Sequence, residues 1–206
     1  SLLGHSPETL ANVHAILEPQ RAFLWLHDFF TVCPSYTLLR NGISYCHAPE
    51  QESTACTICS FGEERRDHLL RMRKLFADIP FELIAPSAFA AEYWRTKSDL
   101  PAAKVHVQPH CTLEARGARR PQTEGPVRVA FLGHPSPHKG WMAFLKVLDE
   151  FARDPRFEFH HLGAGPQCDR RTAFSYVSVL KGGPNAAVDA LIANGIDVVL
   201  LWSIWP

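Results

Sequence analysis

Three groups of side chains in this chain have the types and spacing to do chemistry. The first is VRVAFLGHPSPHKG, residues 127–140, where an apolar run ends at Gly133 and a Pro-containing loop leads to Lys139-Gly140. A glycine after a strand lets the backbone turn tightly where a side chain would block a ligand. The unpaired N–H groups and positive dipole end of a following helix favour an anion, and Lys139 adds a full charge beside them. The stretch reads as a cradle for a diphosphate, with an ordinary surface lysine after a tight turn as the alternative. It is neither G-x-G-x-x-G nor G-x-x-x-x-G-K-[ST], because five residues separate Gly133 from Lys139 and a glycine follows the lysine.

The second group is Cys33, Cys46, Cys56 and Cys59, the last two in a C-x-x-C spacing. Four thiols within one loop-like region suit a tetrahedral structural zinc that staples the segment, with His47 able to replace one thiolate. A redox pair at Cys56/Cys59 or free buried thiols are the competing readings. Cys111 and Cys168 stand apart and read as core thiols. The third group is His27-Asp28 at the end of an apolar run. His27 is either a polar group facing a ligand or a buried histidine satisfied by backbone, and Asp28 caps the following turn.

These groups need elements to hold them. Val127 to Leu132 is short and apolar, as a strand in a parallel sheet should be. Trp141, Phe144, Leu145, Leu148 and Phe151 then fall on one helical stripe. In the first half, Ser6-Pro7 opens a helix with Leu10, Val13 and Leu17 inward. Ala22 to Leu26 is a strand, and Phe29 to Cys59 is a long loop. Ser60-Phe61-Gly62-Glu63 forms a capping box for a helix through Leu69, Met72, Leu75 and Phe76. Phe81 to Ala85 is a strand, Ser87 caps a helix to about Thr96, and Val105 to Val107 is another strand.

Thr112 to Pro126 is polar, rich in Arg, Gly and Pro, and reads as a linker between 1–111 and 127–206. Beyond Phe151 the pattern predicts strands at Phe157 to Leu162, Tyr176 to Val179 and Asp197 to Leu201. It also predicts a short helix near Cys168 to Phe174 and a helix over Asn185 to Asn194. Strand-helix alternation of this kind gives an α/β fold with parallel sheets.

The chain has 206 residues, 46% hydrophobic and 20% charged, with Lys+Arg and Asp+Glu both 21. Zero formal charge removes the electrostatic footprint of a nucleic-acid binder. No apolar run approaches the ~20 residues of a membrane span, and Ser1-Leu2-Leu3-Gly4 lacks the charged region of a signal peptide, so a cytoplasmic location is the expectation. The start without Met and the stop at Trp202 to Pro206 read as the ends of a piece of a longer protein. Arg65, Arg66, Arg71, Arg73 and Lys74 on one helix suit an anionic membrane surface or, more simply, a solvated face of ion pairs.

Four stretches resemble the retaining glycosyltransferases of the two-Rossmann-domain (GT-B) type, in particular the group-1 family, glycosyltransferase family 4. Leu24-Trp25-Leu26-His27-Asp28 is similar to an acceptor-domain strand ending in His-Asp, and Leu83-Ile84-Ala85-Pro86-Ser87 to that domain's last strand. Val129 to Gly133 with His138-Lys139-Gly140 resembles the start of the donor domain, and Asp197 to Pro206 the strand before the donor-site loop. The resemblance implies two Rossmann-like parallel-sheet domains, both incomplete here. It implies transfer of a sugar, with retention, from a nucleotide-diphosphate-sugar to a glycan or lipid-linked acceptor, at the inner membrane surface in the latter case. The diphosphate would lie on Gly133, His134, Lys139 and Gly140, with His27 near the transferred sugar in the interdomain cleft. His134 departs from the arginine that the family more often has. No catalytic metal is implied, and the family's Glu-x7-Glu pair does not occur before Pro206, so this piece alone is expected to be inactive. An inactive homologue acting as a zinc-stapled scaffold, or a sugar-nucleotide epimerase, remain the alternatives.

Overall fold

The structure, a computed structural model, describes residues 2–50, 53–110 and 124–204. The chain separates into two compact units, Ser1–Glu114 and Ala115–Ile204. Most of the expected linker, residues 112–123, lies outside the described residues, as does Cys111.

In the first unit the order is α1 (Pro7–Leu17), β1 (Ala22–Trp25), β2 (Leu39–Arg40), β3 (Ser44–Tyr45), a 3-10 turn (Thr54–Cys56), α2 (Gly62–Asp78), β4 (Phe81–Ala85), α3 (Ala88–Lys97) and β5 (Lys104–Val107). β1, β4 and β5 form a parallel sheet with β4 central, in the register Leu24↔Leu83↔Val105. β2 and β3 make a separate antiparallel hairpin. Alternate residues of β4 point to opposite faces, and Phe81, Leu83 and Ala85 are buried in one core with Met72, Leu75 and Phe76 of α2 and Ala91 and Trp94 of α3. Trp94 carries a polar edge into this core, and its Nε1–H donates to Thr31 Oγ1 at 3.0 Å, so the burial leaves no orphan there.

In the second unit the order is β6 (Val127–Leu132), a 3-10 turn (Pro137–Lys139), α4 (Trp141–Phe151), β7 (Phe157–Gly163), β8 (Ala173–Tyr176), α5 (Val179–Gly182), α6 (Ala186–Ala193) and β9 (Val198–Val199). The strands lie in the order β8-β7-β6-β9 and every pair is parallel. The apolar stripe of α4 brings Trp141, Phe144 and Leu148 onto Phe131 and Phe159. Both units are therefore α/β with Rossmann-like parallel sheets, as the strand-helix alternation predicts.

Several expectations need correction. Ser6 does cap α1, accepting from the Thr9 N–H, but Val13 and Leu17 are exposed and only Leu10 of the stripe packs on the core. The Ser60 capping box does not form: the N-cap of α2 is Phe61, whose side chain has no acceptor, and the Ser60 N–H that Glu63 would have taken is given to Asn41 Oδ1. No helix forms near Cys168. Asp169 instead accepts from the Arg171 N–H through its side chain and from Thr172 through its carbonyl, a turn that competes with helix. β8 then begins at Ala173, earlier than expected, and Val179 belongs to α5. β9 is two residues long, with Asp197 and Leu200 prolonging its ladder through bonds to Arg128 O and Ala130 O, and Leu201 is exposed.

Phe144 is fully buried between Phe131, Trp141 and Phe159. Phe144→Ala should lower the stability of the second unit by about 3–5 kcal/mol, read as an earlier unfolding transition. A transition left in place would contradict the packing described.

Candidate functional site

The turn at the end of β6 is held from the neighbouring strand. The Gly133 N–H donates to Leu162 O at 2.8 Å, and its carbonyl accepts from His161 Nε2 at 3.1 Å. That bond assigns the ring hydrogen to Nε2. His161 is fully buried on β7, packed on Phe131, Trp141 and Phe174, and its Nδ1 has no partner. A Cβ at Gly163 would stand 2.4 Å from Gly133 O, so the approach of the two strand ends demands glycine at 163. Gly133 itself has φ +119° and nothing within 4 Å of an added Cβ, so its conformation requires glycine while the space above it is open.

The loop beyond Gly133 carries the basic groups. His134 is exposed, with Nδ1 3.5 Å from where a Cβ on Gly165 would lie. Lys139 is exposed and makes no ion pair among the described residues. Burial lowers the His138 pKa, and the nearby Lys139 and His134 lower it further, so this ring is held in its neutral form beside Lys139. The expectation of unpaired N–H groups at the helix start does not hold at residues 139–141. Lys139 and Trp141 donate to Ser136 O and Gly140 to Pro137 O, because the 3-10 turn folds them back. Gly140 has φ +85°, and an added Cβ would meet Trp202 O at 2.1 Å, so this glycine answers to conformation and packing. The polar side chains left to meet an anion are His134, Lys139 and the Ser136 hydroxyl, which is buried with no partner.

In the first unit, His27 is exposed just past the end of β1, two residues from Trp25 and on the same face. Trp25, His27 and His110 form a cluster with ring centroids 5.7–6.0 Å apart and planes within 11° of parallel. Packing removes water from the His27 ring and lowers its pKa, with the neighbouring His110 adding to the shift. Trp25 Nε1 is buried without a partner. Asp28 accepts from the Phe30 N–H at 3.0 Å, the turn cap expected of it. His110 is a member of this cluster that sequence reasoning missed, since nothing in a lone histidine after β5 signals its neighbours.

Cys33, Cys46, Cys56 and Cys59 line one small cavity together with Arg40 and Arg65, while His47 lies tilted against the Tyr45 ring and is not among its walls. As the side chains stand, no group of three or more His, Cys, Asp or Glu among the described residues is arranged to hold a metal ion. Burial pushes the Cys33 thiol up to about 11. Cys168 is exposed, its thiol directed to Pro166 O, and so is not a core thiol. The basic helix α2 divides: Arg65 is buried, whereas Arg71, Arg73 and Lys74 pair with Glu8, Asp99 and Asp78 on the surface. That face is a solvated set of ion pairs, each of which contributes little to stability.

No protein-family model matches this chain, and no curated protein matches it. Among the described residues no helix is long and apolar enough to cross a membrane.

Two outcomes follow from this geometry. Gly163→Ala should disrupt the Gly133 turn far more than Gly133→Ala, whose added methyl meets only open space and whose strain is about 1–2 kcal/mol; amide hydrogen exchange at residues 131–134 reads the difference, and equal protection would contradict it. Burial lowers the pKa of His27, His68 and His160. The unfolded chain therefore takes up protons first, and stability present above about pH 6.5 is lost as pH falls toward the folded values. The thermal midpoint should drop between about pH 7.5 and 5.5, and a flat or rising profile would contradict this.

Proposed function

We propose that this protein binds a nucleotide-diphosphate-sugar on its second unit and transfers the sugar, with retention, to a glycan or lipid-linked acceptor held by the first. The observation that carries the reading is Gly133: a positive φ and open space at the carboxyl end of an inner strand of a parallel sheet, with a lysine six residues on that makes no ion pair among the described residues. Ligands of open α/β sheets bind at the carboxyl ends of the strands, where backbone can approach a phosphate. Lys139 and His134 supply charge to the diphosphate, and Lys139 stabilises it as it departs. No protein nucleophile and no catalytic metal are assigned. His27, exposed at the end of β1, is the group of the first unit assigned to the reacting sugar. A cytoplasmic location, at the inner membrane face for a lipid-linked acceptor, accompanies this reading.

The second reading, a scaffold without chemistry, draws on the N–H groups at 139–141, which the turn consumes. Calorimetric titration of UDP-, GDP- and ADP-sugars into the protein with its natural ends separates the two. Binding of one donor that weakens about tenfold or more in Lys139→Ala supports transfer. No binding by the folded protein, or equal binding by the variant, would overturn the role of this loop.

A further inference from the structure

The four-thiol cavity of the first unit carries a charge that its protein walls leave uncompensated. Arg65 is 6% exposed and its guanidinium reaches Cys56, Nη1 donating to Sγ at 3.0 Å. Its Nε, and that of the half-buried Arg40 on the same cavity, have no hydrogen-bond partner among the described residues. Neither arginine makes an ion pair among the described residues, and no carboxylate lines the space. An arginine does not shed its proton, so a buried, unpaired guanidinium is strongly unfavourable unless negative charge stands beside it. Among the described residues of the wall, the groups able to become negative are the four thiols.

We propose that Cys33, Cys46, Cys56 and Cys59 hold one structural zinc ion as a tetrathiolate, and that Arg65 and Arg40 neutralise it. Zinc takes the place of four thiol protons, which leave to solvent. Four thiolates around one divalent ion carry two net negative charges, and the two guanidiniums match them. Arg65 is buried and Arg40 half-buried, so the counter-charge stands on the same cavity as the metal. The N–H···S bond from Arg65 has the form of an outer contact that orients a metal-bound thiolate.

The backbone supports the same assignment. Cys56 closes the 3-10 turn, and the Cys59 N–H donates to Cys56 O at 3.1 Å, so the C-x-x-C pair sits on one tight turn. Cys46 directly follows β3, and Asn41 at the tip of the β2–β3 hairpin ties it to the C-x-x-C segment: Nδ2 donates to Ile58 O at 3.2 Å and Oδ1 accepts from the Ser60 N–H at 2.8 Å. Cys33 comes from the loop after β1. The cavity has room for about 20 Å³, one water-sized body. That is the scale of a single ion. Since no three thiols stand in ligating positions, binding requires the side chains to rotate inward, beginning with Cys56, whose sulfur is turned to Arg65. The site ties Cys33 and Cys46 to the C-x-x-C turn, and this inference does not rest on the transferase reading.

The test is metal analysis of the whole protein purified under reducing conditions, followed by exchange with cobalt(II). The expected result is about one zinc per chain, and a cobalt form with intense sulfur-to-metal charge transfer and tetrahedral ligand-field bands. Arg65→Gln should weaken zinc about 10–100-fold in competition with a chromogenic chelator, whereas Arg66→Gln and Cys168→Ser should leave it unchanged. Zinc-free protein whose cobalt form lacks thiolate bands would overturn the proposal. So would a native mass short of two hydrogens from a Cys56–Cys59 disulfide, or an iron chromophore. If the Arg65 variant does not fold, the cobalt spectrum of the unaltered protein still decides.

Discussion

The second unit depends on one contact: the carbonyl of Gly133 held by the buried ring of His161 from the adjacent strand. A parallel ladder ends with its last carbonyls unpaired, and a turn built there is free to take many conformations. Here the ladder is carried past its end. Gly133 gives its N–H to β7 and receives a side-chain bond from the same strand, and the missing Cβ at Gly163 lets the two backbones meet. With the turn fixed, the loop from His134 to Lys139 leaves the sheet in one direction and enters α4 through a 3-10 turn. The basic cluster is thus positioned by a residue that would touch no ligand itself.

The first unit meets a different constraint. Between β1 and α2 lies a long segment whose regular structure amounts to a two-residue-strand hairpin and one 3-10 turn. Such a segment has little ladder to pair its polar groups and little apolar stripe to bury. Val32, Leu38 and Ala48 anchor it to the core, and Asn41 and Trp94 cross-link it through side-chain bonds. A buried arginine on the cavity of the four thiols, donating to one of them, is the unusual element, and spacing alone does not reveal it.

How much of this was legible in the sequence depended on the source of each element's stability. β4, β6 and α4 were plain, because their apolar patterns match the faces they bury. The parallel-sheet α/β class followed from the alternation. What stayed hidden was decided by hydrogen bonds that no apolar pattern signals: the distant Asn41 side chain taking the Ser60 N–H, Asp169 folding a local turn where a helix was expected, and the Ser136 and Pro137 carbonyls taking the N–H groups at the start of α4. The pairs His161–Gly133 and Arg65–Cys56 join residues far apart in sequence by contacts with no periodic signature. The strand pattern at Phe157 to Gly163 did hold a hint, since two adjacent histidines in an apolar run require polar partners somewhere.

The central claim is that the loop from Gly133 to Lys139 receives a nucleoside diphosphate. The most direct measurement is an amide chemical-shift map of the labelled protein titrated with UDP, GDP and ADP. The account predicts saturable shifts concentrated at residues 133–140, produced by one nucleotide more strongly than by the others. Shifts absent from that loop at saturating nucleotide, or confined to the first unit, would contradict it.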